Sequence, residues 1–274
     1  MFEVAIVIVS YNARTELTAC LEALARSPPT NTHQIIVVDN ASSDGSPAAV
    51  RGRWPHITVI DTGANLGFAR ATNLGIRLTT SRMVLLLNGD TLPPPDAIDR
   101  LVDILKTSPA VAAVGPRLVN STGALEISFG AMISPFNEFW QKCLVRGYRW
   151  KLPFLHGTVE RRGRTERIVD WVSGACLLVN RADAEAVNLL DERFFLYGED
   201  VDFCAAIRAR GRHILFTPTV EVVHHRGRSG RHSPAQTEAA YRHSQLAFYS
   251  KHHPTWYPFL RAYLRLRGNL PKTD

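Results

Sequence analysis

The chain has 274 residues, 45% hydrophobic and 21% charged, which allows a substantial core in one large α/β domain or two small ones. Its net charge of +7 is uneven: residues 1–140 carry 10 Lys and Arg against 12 Asp and Glu, and residues 141–274 carry 22 against 13, so the second half suits nucleic acid, a phosphorylated substrate or an anionic membrane, or is simply a solvated surface. Four scattered cysteines, Cys20, Cys143, Cys176 and Cys204, with no C-x-x-C pair in a chain of this size, read as free core thiols of a cytosolic protein and not as a disulfide framework.

The N-terminal "VAIVIVSYN" (Val4–Asn12) reads as a buried strand with polar residues at its exit. It lacks the basic flank and cleavage site of a signal peptide. A helix follows with Leu17, Leu21 and Leu24 at helical spacing, then a second buried strand, "QIIVVDNAS" (Gln34–Ser42). "PAAVRGRW" is helical, "ITVIDTGAN" a third strand, "GFARATNLGIRLTT" a helix and "MVLLLNGD" a fourth strand. Strands alternating with helices imply βαβ units and a mostly parallel sheet.

The second half is organised differently. "AVAAVGPRLVN" and "GALEISF" are expected as strands around a turn at Ser121, Thr122 and Gly123. Residues 136–168, aromatic and basic without clear periodicity, are expected as long loops. "IVDWVSGACLLVNR" reads as a strand broken by the small residues Ser173, Gly174 and Ala175. "RADAEAVNLL" is helical, "DVDFCAAIRARG" is a helix closed by Gly211, and "HILFTPTVEVVHH" supplies one or two strands. A last helix, "PAQTEAAYRHSQLAFYSKHH", precedes the tail. No segment approaches the ~18–20 apolar residues that cross a bilayer, so the protein is expected to be cytoplasmic, soluble or peripheral on the inner face of the membrane.

In parallel sheets ligands sit beyond the carboxyl ends of the strands. Here those ends are Ser10-Tyr11-Asn12, Asp39-Asn40, Asp61-Thr62-Gly63 and Asn88-Gly89-Asp90. Any strand needs a polar exit, but four converging on one edge make a cleft for a nucleobase, ribose or sugar. In "LDERFFLYGEDVDFCAAIRARG", Glu199 and Asp200 are adjacent carboxylates beside aromatic residues. Unequal solvation separates their pKa values, so that one serves as a base while its neighbour holds substrate. The same residues also suit a helix N-terminus, and both roles can hold at once. Trp171 beside Ser173-Gly174-Ala175 is either an aromatic platform for a sugar or a core tryptophan. In "VVHHRGRSG", His224 and His225 point to opposite faces of a strand, ahead of Arg226 and Arg228. One imidazole can reach a metal or diphosphate, or lie on the surface. No G-x-x-x-x-G-K-[ST] loop and no G-x-G-x-x-G after the first strand are present, which argues against an NTPase or a Rossmann dehydrogenase.

Together, "VIVSYN", "IIVVDNASSDGS", "NLGFARATNLG", "LLLNGDTLP", "VGPRLVNSTGALEISF", "WVSGACLLVNR", "ERFFLYGEDVDFCAAIRARG" and "VVHHRGRSG" resemble the family 2 glycosyltransferases, particularly the bacterial rhamnosyltransferase-like branch. The resemblance implies a GT-A fold: a mostly parallel, Rossmann-like nucleotide-binding sheet flanked by helices, with a mixed acceptor-binding second half. It implies one domain over residues 1–250, with nucleotide-binding residues 1–115, acceptor and catalytic residues 116–250, and a basic aromatic tail at 251–274.

By that resemblance the protein transfers a sugar, L-rhamnose from dTDP-L-rhamnose, to a hydroxyl of a cell-surface polysaccharide or lipid-linked glycan, with inversion at the anomeric carbon. UDP- and GDP-sugar donors, or a sugar nucleotidyltransferase, remain the alternatives. Ser10, Tyr11, Asp39, Asn40, Asn65, Gly67, Asn73 and Asn88 would bind the nucleotide. Asp90 and His224 would hold Mg²⁺ or Mn²⁺, Asp200 would be the base with Glu199 beside it, and Trp171 and Gly174 would border the sugars. The branch usually has Asn-Pro-Asp where this chain has Asn88-Gly89-Asp90, a looser turn with no charge from its first residue. The tail sets Trp256, Leu260, Tyr263 and Leu264 on one helical face near Arg261 and Arg265, which suits an anionic membrane, the catalytic domain or a second subunit of a homo-oligomer. No nucleic acid partner is expected.

Overall fold

The computed structural model describes residues 1–150, 152–225 and 234–271. Four strands, β1 (Val4–Ser10), β2 (His33–Asp39), β3 (Thr58–Asp61) and β4 (Met83–Asn88), run parallel in the spatial order β3-β2-β1-β4. Helices α1 (Arg14–Arg26), α2 (Ser46–Arg53) and α3 (Phe68–Arg77) connect them. The continuous apolar runs of β1 and β4 follow from burial on both faces. Val4, Ile6 and Ile8 pack with Leu17 and Leu21 of α1, while Val7 packs with Ile76 of α3. The result is a three-layer α/β/α arrangement.

After β4 come β5 (Thr91–Leu92), α4 (Ala97–Thr107), β6 (Val111–Val119) and β7 (Phe129–Gly130). Helices α5 (Pro135–Arg149) and α6 (Pro153–Arg162) follow, then β8 (Arg167–Val169), β9 (Trp171–Val172) and β10 (Cys176–Asn180). The chain continues through α7 (Arg181–Ala186), α8 (Glu199–Ala209), β11 (His213–His224), α9 (Pro234–His252) and α10 (Tyr257–Leu266). The sheet extends as β4-β10-β6-β11-β5 with β8 on β11. β10 is antiparallel to both β4 and β6, and β11 runs parallel to β6. Three of the cysteines are buried, and burial pushes the thiols of Cys20, Cys176 and Cys204 up to about 12, so they behave as inert core groups.

Three expectations change. Residues 136–168 are largely helical, because Ser134 caps α5 through the Asn137 amide and Pro135 occupies its first turn. Leu144 and Val159 close a small core with Leu125, while Phe136, Phe139 and Trp140 stay exposed. Apolar residues on the outer face conceal the helical period. "GALEISF" is not a full strand: it makes one bridge, Val119 to Leu125, and then the two-residue β7. In the tail helix, Leu264 is buried and Leu260 packs on the core, so the four residues expected on one helical face are divided between the core and solvent; Trp256 and Tyr263 remain exposed. The turn at residues 121–123 and the Gly211 terminator, with φ of 77° at Gly123 and 78° at Gly211, form as expected.

Candidate active site

The carboxyl ends of β1 and β2 place Ser10 and Asp39 side by side in register. Both are almost fully buried, and Ser10 Oγ and Asp39 Oδ1 lack a hydrogen-bond partner. The other Asp39 oxygen accepts from the Ser42 amide at 2.9 Å. Buried polar atoms are rarely left without partners, so this pair is suited to the donors of a bound ligand. Asn40 spans the pocket, donating to Asn65 Oδ1 at 2.8 Å and accepting from the Leu66 amide at 2.8 Å. Asn65 Oδ1 accepts in turn from the Gly67 amide at 3.0 Å. Gly67 has φ 79°, and a Cβ there would sit 2.5 Å from the Phe195 carbonyl oxygen. That carbonyl accepts from the Phe68 amide at 2.7 Å, locking the loop before α3 to the segment before α8.

The tip of the fourth strand reaches across the sheet. Asn88 leaves β4, the chain turns, and Thr91 of β5 pairs with His224 at the end of β11. Asp90 is thereby buried against His224, with Oδ1 3.2 Å from Nε2, and the Asp90 carbonyl accepts from the His225 amide at 2.8 Å. Nδ1 of the same ring lies 2.9 Å from Glu126 Oε2. Burial works against the charged ring, but hydrogen bonds and charge from Asp90 and Glu126 outweigh it, raising the His224 pKa to about 9. Asn88 Nδ2 lies 3.5 Å from Nε2, at the limit of hydrogen bonding. Among the described residues no group of three or more His, Cys, Asp or Glu side chains forms a ready-made metal cage. The Asp90 and His224 pair still fits a cation that takes its remaining ligands from a diphosphate. Carboxylate and imidazole converge, and Glu126 orients the ring through its far nitrogen, as outer-shell carboxylates do for metal-bound histidines.

The acidic pair lies at the start of α8. Tyr197 and Gly198 have φ of 68° and 87°, and this left-handed pair turns the chain abruptly into the helix. Asp200 accepts from the Gly174 amide at 3.0 Å and from its neighbour Val201 at 2.8 Å. Glu199 is buried, its Oε2 without a partner, and burial together with the Asp200 charge raises its pKa well above the ordinary glutamate range. The small-residue break before β10 joins both halves: the Ala175 carbonyl accepts from the Asn88 amide at 2.9 Å while Gly174 binds Asp200. A Cβ on Gly174 would contact Asp200 Cβ at 3.4 Å and the Phe68 ring at 3.5 Å, so this backbone runs close to both.

Two expected site residues have other places. Asn73 is fully buried and its amide is engaged within the protein, donating to the Leu190 carbonyl at 2.8 Å and accepting from the Leu190 amide at 3.0 Å. It ties down the loop before α8, which leaves its amide occupied by the protein itself. Trp171 is a core residue: its indole N–H donates to the Ala131 carbonyl at 2.9 Å and its ring covers Gly130. Tyr11 is half-buried at the exit of β1. Arg226 and Arg228 lie outside the described residues. Glu126 was not singled out in the sequence; its only signal is one carboxylate between Leu125 and Ile127. The clamp joining the loops after β1 and β2, in which Asn12 accepts from the Ser43 amide at 2.7 Å and Asp44 from the Arg14 amide at 2.8 Å, was equally hidden.

A nucleotide-type sheet edge facing an acid-bearing helix start is the arrangement of GT-A glycosyltransferases. The fold matches a mannosyltransferase from Pyrobaculum calidifontis, solved with GDP-Man and Mn²⁺, at TM-score 0.63 and 19% identity, covering 98% of this chain and 72% of that one. It matches residues 1–349 of TarS from S. aureus at TM-score 0.57 and 12% identity, covering 93% and 74%. The family described as "Glycosyl transferase family 2" matches residues 5–160. An N-acetylglucosaminyl-diphospho-decaprenol L-rhamnosyltransferase of Mycobacterium tuberculosis is 31% identical over 97% of this chain and 89% of its own length. The chain belongs to glycosyl transferase family 2.

Proposed function

We propose that this protein transfers L-rhamnose from dTDP-L-rhamnose to a hydroxyl of a lipid-linked glycan at the membrane surface, with inversion at the anomeric carbon. The relative from M. tuberculosis, by its name an L-rhamnosyltransferase with a diphospho-decaprenol substrate, supports the donor sugar and the acceptor class. The observation that carries the chemistry is the Gly174–Ala175 bridge, which fixes Asp200 relative to Asn88 and the Asp90–His224 pair. Ser10, Asp39, Asn40, Asn65 and Gly67 would hold the nucleoside, the unsatisfied oxygens of the first two accepting its donors.

Inverting transfer needs a base at the acceptor hydroxyl and positive charge at the departing diphosphate. Asp200, held by two backbone N–H groups, has the fixed carboxylate for the first task. Glu199, whose proton burial and the Asp200 charge hold more tightly than in an ordinary glutamate, adds less competing negative charge beside it. Asp90 and His224 would hold Mg²⁺ or Mn²⁺, which when bound offsets the diphosphate charge. Ligation requires His224 to lose its Nε2 proton, since metal ligands are neutral imidazoles.

The test combines donor screening with two substitutions. dTDP-sugars are expected to raise the melting temperature more than UDP- or GDP-sugars, with an added increment from Mg²⁺ or Mn²⁺. Asp200→Asn should preserve that shift while transfer falls by about 10²–10⁴-fold. Asp90→Ala should abolish the metal increment. Full turnover by Asp200→Asn would refute the base assignment, and an unchanged metal increment in Asp90→Ala would refute the metal assignment. A larger shift with UDP- or GDP-sugars would refute the donor.

A further inference from the structure

Helix α5 has two faces of different chemistry. Glu138, Gln141, Lys142, Val145 and Tyr148, spaced along one side, line a cavity of ≈ 840 Å³ that also reaches Glu126, Tyr197 and Gly198. The cavity therefore runs from the helix to the residues just before Glu199 and to Glu126, which bonds the His224 ring. Ser244 of α9, 2% exposed and with no hydrogen-bond partner, also lines it. On the opposite side, Phe136, Phe139 and Trp140 at i, i+3 and i+4 are exposed by 77%, 65% and 47%. Trp150 and Phe154, at the turn into α6, are exposed by 69% and 79%. Single exposed apolar residues are ordinary, but a run of aromatic rings on one helical hairpin is not.

Charge accompanies the rings. Residues 141–167 contain eight Lys and Arg against two Glu, and Arg146, Arg161, Arg162 and Arg164 are exposed. The patch continues towards α10: the His253 ring bonds the Ile133 carbonyl at 2.6 Å, just before α5, and three residues later the chain exposes Trp256 and then Phe259. Aromatic rings interleaved with guanidinium groups match the interfacial zone of an anionic bilayer, where rings sit among headgroups and cations meet lipid phosphates. Among the described residues no helix is long and apolar enough to cross a membrane, so contact would be from one side.

We propose that the outer face of the α5–α6 hairpin seats the protein on an anionic phospholipid surface, so that α5 becomes the wall between the bilayer and the active-site cavity. This rests on the lipid-linked acceptor proposed above. It gives the acceptor a short route: the lipid stays in the leaflet while its glycan enters the cavity past α5 and meets Asp200.

The test uses the full chain with phosphatidylglycerol and phosphatidylcholine vesicles in co-sedimentation. The wild type should bind the anionic vesicles and release them at high salt, with weak binding to the neutral ones. Phe139→Ser combined with Trp140→Ser should lose about tenfold or more of that affinity, since two rings no longer enter the interface. Its nucleotide-induced melting shift should be unchanged. If that variant does not fold, Trp150→Ser with Phe154→Ser provides the same comparison at the turn. Unchanged vesicle binding in a folded variant, or no wild-type preference for anionic lipid, would overturn the proposal. So would a concentration-dependent dimer abolished by the same substitutions, which would mean that a second copy covers the face. Vesicle binding without any dTDP-induced shift would instead count against the donor and leave the surface standing.

Discussion

Replacing Glu199 by Gln tests the division of labour between the two adjacent acids. Glu199 is 6% exposed, one oxygen has no partner, and burial and the Asp200 charge hold its proton to a pH well above the ordinary glutamate range. In the unfolded chain the same group ionises near the usual glutamate value, so above that pH the unfolded state binds fewer protons than the native state. Native stability from this group is therefore complete below the unfolded pKa and is lost as pH rises towards the raised folded value, by about 1.4 kcal/mol per pH unit. Glutamine has the shape of the protonated acid and cannot ionise. Melting temperatures of Glu199→Gln and wild type should coincide near pH 4 and then diverge in the variant's favour by about 3 °C per pH unit. Transfer at neutral pH should stay within about tenfold of wild type, because glutamine keeps the shape and neutrality of the protonated acid. Melting curves that remain parallel across pH, or a loss of transfer as large as that of Asp200→Asn, would show that Glu199 is ionised in the native protein.

Two glycines of the site should behave in opposite ways. Gly67→Ala puts a Cβ 2.5 Å from the Phe195 carbonyl oxygen at a left-handed backbone, and should cost about 2 kcal/mol or more in urea unfolding with weakened nucleotide binding. Gly89→Ala meets its nearest neighbours, Leu17 and Ile8, at ordinary contact distances of 3.6–3.8 Å, so stability should change by less than about 1 kcal/mol. Asn73→Ala leaves the Leu190 amide and carbonyl unpaired; it should cost about 1–3 kcal/mol and expose the 190–193 loop to trypsin at Arg193.

The N-terminal half of the sheet was readable because strands buried on both faces leave continuous apolar runs, and their polar exits mark the sheet edge. Ser10, Asp39, Asn40 and Asp90 all lie at that edge. Asn73 misled because a helical asparagine gives no sign of whether its amide meets a ligand or a neighbouring loop; only the fold brings Leu190 to it. Trp171 has the same ambiguity between platform and core. Helix α5 escaped detection because Phe136, Phe139 and Trp140 place apolar side chains on its outer face, where periodicity expects polar ones. Glu126 could not have been chosen from sequence, since its role depends on a partner 98 residues away.

The fold-back of β5 onto the end of β11 also bears on how the protein is made. Asn88 and His224 are 136 residues apart in the chain, and the contact between Asp90 and His224 forms only when the last strand of the sheet has docked. Closing so long a loop is slow, and chains emerge from the ribosome N-terminal end first. The β1–β4 half of the sheet can assemble during synthesis, but the Asp90–His224 pair cannot form until β11 has emerged. Completion of this site therefore waits on the docking of β11, and a chain stopped before residue 224 would carry the sheet edge of Ser10, Asp39 and Asn40 without the Asp90–His224 pair.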